Sequence, residues 1–180
     1  MLTENANSRL GAMSLVRPVG WSAAAIVLLF PMIAMQFEQR LHWGVNWTVG
    51  DFVAAALLLS GTGAALELAV RLNDDLAYRA GAFLGIGAAL LMVWANLAVG
   101  LVGSEDNAAN LWFMTVPVVG LAVAMLGGVS AKAMVRAMLA MAFMQFLAGL
   151  FVGKAGAAVA VSMALGACWL VSAWLFSRAA

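Results

Sequence analysis

Residues 80–102 read AGAFLGIGAALLMVWANLAVGLV, an unbroken stretch with no charged side chain and a single amide, Asn96. About 20 apolar residues in a helix, at 1.5 Å per residue, cross a hydrocarbon core of about 30 Å. No water reaches the backbone there, so only a helix or a closed barrel can satisfy its N–H and C=O groups. The stretch lacks the two-residue alternation of a barrel strand. It reads as a membrane helix.

Five more apolar runs surround it, at residues 21–37, 52–72, 111–130, 135–152 and 157–176. The expected fold is all-α: a polytopic membrane protein, a bundle of six transmembrane helices forming one integral membrane domain over 1–180. The connections are too short for a soluble domain, and no three-plus-three repeat relates the halves. Residues 1–20 are polar, and the run at 21–37 lacks a small-residue cleavage pattern after it, so it reads as a retained span rather than a signal peptide.

Composition agrees. Hydrophobic residues make up 66% of the chain and charged residues only 9%, with a mean hydropathy of +1.02. A soluble domain carries roughly 25% charged residues, and too few polar groups remain here to coat one. A cytosolic enzyme and a disordered regulator are excluded. The net charge of +1 leaves no footprint for a nucleic acid. The partner implied is the lipid bilayer, with a homo-oligomer or a larger membrane complex open. Cys168, the one cysteine, excludes an intramolecular disulfide and any multi-cysteine metal site.

Orientation follows from the basic residues. With both termini cytoplasmic, the inner side receives Arg9, Arg17, Arg71, Arg79, Lys132, Arg136 and Arg178, and the outer side only Arg40 and Lys154. That is a strong positive-inside bias.

The outer side then collects the polar groups. Glu38, His42, Asn46, Asp51, Glu105, Asp106, Asn107 and Asn110 fall in or beside its loops, and Gln36, Asn96 and Gln145 in the outer parts of three spans. Two consequences stand side by side. The amides converge beneath an acidic mouth that concentrates cations or a basic solute, or they bond across helices at about 0.6 to 2 kcal/mol each. Asp51, three residues after Thr48, has the spacing of a capping box. Ser104, Glu105, Asp106 and Asn107 open the next span, where acids complement the positive helix end. The candidate ligand-binding residues are Gln36, Glu38, Asp51, Asn96, Glu105, Asp106, Asn107 and Gln145. Glu38 and His42, four apart, are weak metal candidates; the alternative is a solvated histidine.

Glu67 is the one acid well inside a span, and Arg71 one turn on offers it an intramembrane ion pair. Gly61 with Ala65, Gly81 with Gly85, Gly120 with Ala124 and Gly128, and Ser162 with Gly166 have the small-xxx-small spacing of close helix seams. Met134, Met138, Met141 and Met144 read as packing rather than a soft-metal path. Pro31 and Pro117 free the carbonyls of Val27 and Phe113. No phosphate-binding, zinc-protease or dinucleotide pattern occurs, so no cofactor and no catalytic residue is implied.

The strings FPMIAMQF at 30–37, VNWTVGDF at 45–52 and NLAVGLVGSEDN at 96–107 resemble those of a family of small multi-pass bacterial inner-membrane proteins, over roughly residues 20 to 115. The resemblance implies a bacterial inner membrane and an outer surface built from the first and third outer loops. It brings no activity with it. The functions expected are a cation or small polar solute binding or transport module, or an accessory or assembly subunit of a larger membrane complex. An intramembrane enzyme has the least support.

Overall fold

The computed structural model describes residues 20–37, 45–104, 106–151 and 156–180. Among the described residues there are six α-helices and no strand: α1 (Gly20–Gln36), α2 (Val49–Leu72), α3 (Leu76–Ala98), α4 (Asn110–Leu126), α5 (Ala131–Phe151) and α6 (Ala157–Arg178). Four of them, α2, α3, α5 and α6, are long and apolar enough to cross a membrane. The other two, α1 and α4, have about 17 residues, hence about 26 Å, short of a core about 30 Å thick. Four of the six expected spans thus have a helix of full crossing length among the described residues, and the other two coincide with the shorter apolar helices α1 and α4.

The helix bounds depart from the apolar runs because caps, not hydropathy, end a helix. Helix α3 starts at Leu76 rather than at residue 80. The Asp75 carboxylate accepts from the N–H groups of Ala77 (2.7 Å) and Tyr78 (3.1 Å), and the Asn73 side-chain oxygen accepts from Asp75 N–H at 2.8 Å. Helix α5 starts at Ala131 rather than 135, because Ser130 Oγ accepts from Ala133 N–H (3.3 Å). Helix α4 stops at Leu126, four residues before the apolar run does, in a turn where Gly128 and Val129 take φ of 66° and 51°.

The chain divides into two units, residues 1–63 and 64–180, with the boundary inside α2. In the first, the Trp21 ring lies over Gly63, so close that a Cβ there would stand 2.9 Å from it. The start of α2 carries a complete N-terminal cap. Thr48 N–H and Oγ1 donate to Asp51 Oδ2 at 2.7 and 2.9 Å, and Asp51 N–H donates back to Thr48 Oγ1 at 3.3 Å. Trp47 packs on Phe52 with ring centroids 5.2 Å apart, the hydrophobic staple of such a cap.

In the second unit α3, α4, α5 and α6 form a ring in which α3 packs on α4, α4 on α5, α5 on α6 and α6 on α3. Neighbours run antiparallel. Gly81 lies against Leu175 and Phe176 and Gly85 against Ser172, while Gly120 and Gly127 meet Met141 and Ala133, and Gly149 and Gly166 meet Ser162 and Phe146. Two ends follow from this alternation. One carries the α3–α4 loop, and the other the α2–α3 and α4–α5 turns with the end of α6.

The interior holds Trp169, Tyr78, Phe113, Phe176, Met92 and Val116 at almost no exposure. Met134, Met138 and Met141 fill it from α5, with Met138 and Met141 seated against Gly85 and Gly120. Without a hydrophobic drive between helices in lipid, such small-residue seams and polar cross-links hold the bundle. Ser172 Oγ donates to Gly81 O (2.7 Å), and Tyr78 Oη to Val129 O (2.8 Å). Two of the expected seam positions behave otherwise. Gly61 has no neighbour within 4 Å of its would-be Cβ, and Gly128 lies beyond the end of α4.

Candidate functional site

The most elaborate polar structure among the described residues is the connection between α3 and α4. Helix α3 releases the chain at Ala98, and Asn110 opens α4. Asn96, in the last turn of α3 and 2% exposed, donates its side-chain amide to the Asn110 carbonyl at 2.8 Å. The Asn110 side chain reaches the other way. Its Oδ1 accepts from Leu101 N–H (3.0 Å) and Val102 N–H (2.9 Å), and its Nδ2 donates to Ser104 O (2.7 Å). The loop backbone is thus folded around one buried amide, which replaces the partners a helix would have supplied.

Glycine is required where this fold tightens. Gly100 takes φ of 72°, and a Cβ there would fall 2.5 Å from the Ser104 carbonyl group. Farther along, Asn107 N–H donates to Ser104 O (3.1 Å), Asn107 Oδ1 accepts from Ala109 N–H (3.0 Å), and Asn107 O accepts from Asn110 N–H (2.8 Å). Ser104, Asp106 and Asn107 are left exposed on the outside of a loop that its own amides hold.

Gln145 behaves differently. It is wholly buried, and its amide donates to Ser162 Oγ on α6 at 3.1 Å. Its Oε1 has no hydrogen-bond partner among the described residues. Asn96 and Gln145 therefore serve different neighbours, one a loop and one a helix, rather than a common partner. Gln36 is exposed at the end of α1, in the other unit. The Asp51 carboxylate is engaged by Thr48. Arg71 donates to Glu67 Oε1 across one helical turn at 2.5 Å, with the Arg71 side chain largely exposed. Glu38, His42 and Glu105 lie outside the described residues. Among the described residues no three His, Cys, Asp or Glu side chains gather as a metal site.

Several structural residues carried no strong sequence signal. Arg79 stood in the sequence only as an inner cation, yet it donates to Asn73 O and Val70 O at 2.9 Å each and pairs with Asp74, closing the end of α2. Ser162 was visible only as a small residue, and Tyr78 not at all. Asn110 was visible as one more outer polar group; its spacing from Asn96 matches no known motif, and only the closed loop gives it meaning. Comparison with family models, curated proteins and solved structures finds no match to this chain.

Proposed function

We propose that this chain is an accessory or assembly subunit of a larger membrane complex, presenting the 99–109 loop as a preformed docking surface. Four apolar helices suggest a membrane-embedded protein. The finer reading is a bacterial inner-membrane bundle of six helices with both termini cytoplasmic, in the family whose strings it resembles. The positive-inside bias supports that orientation and puts the loop on the outer face. The observation that carries the role is the engagement of Asn96 and Asn110. The two amides tie the main chain of Leu101, Val102, Ser104 and Asn110 together, which supports a preordered loop that leaves Ser104, Asp106 and Asn107 exposed to a neighbour. Preordering of this kind lowers the entropy lost on docking.

A second reading, a module for a cation or small polar solute, draws on the unpartnered Gln145 Oε1. One experiment separates the two. A photo-reactive side chain at position 107 is activated in membranes, and the protein is then purified in mild detergent. One discrete cross-linked partner, lost on competition with unlabelled protein, supports docking. A protein free of partners whose melting point rises with a single cation or solute overturns it in favour of the second reading, because a ligand of the native state stabilises by mass action. A reporter fusion that puts residue 106 in the cytosol removes the outer-face assignment.

A further inference from the structure

The basic end of the second unit, opposite the 99–109 loop, holds cations in two different situations. Arg71 is paired with Glu67, and Arg79 with Asp74 and two main-chain carbonyls. Lys132, Arg136 and Arg178 are exposed, and none forms an ion pair among the described residues. The α4–α5 turn, residues 127–130, contains no acid.

Lys132 and Arg136 are one turn apart on α5, so they share a face. The α5–α6 contacts set the antiparallel register: Gly149 and Gln145 against Ser162, and Phe146 against Gly166. Carried along the pair, that register sets Lys132 level with Arg178 and Arg136 level with Trp174. Trp174 is half exposed, and the Arg178 guanidinium stacks on its ring 4.9 Å from the centroid. Arg178 suits the negative end of α6. Lys132 does the opposite. It adds positive charge to the first turn of α5, which already bears the positive end of the dipole and contains no acid. Three exposed cations without an ion pair among the described residues, together with a helix start, give this end a positive field that favours an anion.

We propose that Lys132, Arg136 and Arg178 hold the phosphate of an anionic phospholipid at this face, with Trp174 beside its glycerol backbone. The occupant is a lipid rather than a free ion because the cations lie at the ends of apolar helices whose outer faces are exposed. Phe143, one of the exposed apolar side chains of α5, continues toward the hydrocarbon from the face of Arg136. Basic clusters of this kind between helices select anionic headgroups. The inference needs only that α5 and α6 lie in a bilayer, and it is independent of the docking role of the loop.

The test titrates the purified protein with brominated phosphatidylglycerol in phosphatidylcholine nanodiscs, reading tryptophan quenching against brominated phosphatidylcholine. Phosphatidylglycerol is expected to quench at lower mole fraction. Each removed cation should weaken its affinity about fivefold, and Lys132→Gln/Arg136→Gln/Arg178→Gln by on the order of 100-fold. The charge-keeping Lys132→Arg/Arg136→Lys variant retains binding. Should the triple variant not fold, the parent still decides: at about 1 M salt, where the Debye length is about 3 Å, the preference disappears. Equal quenching by both lipids, a preference indifferent to salt, or unchanged binding by the folded triple variant each overturns the proposal. So does inorganic phosphate that displaces the lipid preference at millimolar concentration, which assigns the site to a free anion.

Discussion

Asn96 and Asn110 form a reciprocal clasp: the first binds the main chain of the second at 2.8 Å, and the second gathers the main chain of Leu101, Val102 and Ser104. Asn110→Ala leaves the half-buried Val102 N–H without its acceptor and Leu101 N–H with only the longer bond to Asn96 Oδ1 at 3.4 Å. Unsatisfied buried donors cost about 1–3 kcal/mol each, partly recovered here by water at the loop. A loss of about 1–2 kcal/mol is expected, seen as a lower melting point and faster proteolysis between residues 99 and 109. Unchanged proteolysis would show that the amide does not organise the loop.

Gln145 and Ser162 predict a non-additive pair. Ser162→Ala alone removes the single partner of a buried amide already lacking one, and should cost about 1–3 kcal/mol. Gln145→Met with Ser162→Ala removes all the polar atoms at once, and replacing both partners is nearly neutral. Reversible unfolding in mixed micelles measures both. A double variant less stable than Ser162→Ala would contradict this account.

Glycine spacing alone does not foretell which glycines are needed. Gly166→Ala drives a Cβ into the Phe146 ring, whose edge would stand 2.4 Å away, while Gly61→Ala meets nothing. Overpacking of this kind costs about 1–3 kcal/mol, whereas an alanine in an open helix position gains up to about 1 kcal/mol. The expected order of melting points is Gly61→Ala at or above the parent, then the parent, then Gly166→Ala. Restoring space with Gly166→Ala/Phe146→Leu should recover part of the loss.

Thr48 and Asp51 predict a local effect. Asp51→Ala removes the acceptor of two Thr48 donors at a cost of about 1 kcal/mol. Hydrogen exchange should rise at residues 48–52 and stay unchanged in α5 and α6. A uniform rise across all helices would mean that this cap governs more than the start of α2.

Sequence alone determined that the chain is helical and apolar enough for a bilayer, because the length of an uncharged run and the demand for internal backbone bonding are local properties. It also marked Thr48 and Asp51, whose partners lie three residues apart. Helix ends elsewhere escaped it. Asp75, Ser130 and Asn110 overrule the hydropathy boundary through particular hydrogen bonds, and the apolar run at 80–102 contains both helix and loop. Only the tertiary structure decided what Asn96, Asn110 and Gln145 do, since each is defined by a partner 14 or 17 residues away or by a folded loop. The same holds for the seam glycines: Gly166 and Gly61 share a spacing rule, and what differs is the side chain that the neighbouring helix brings against one of them.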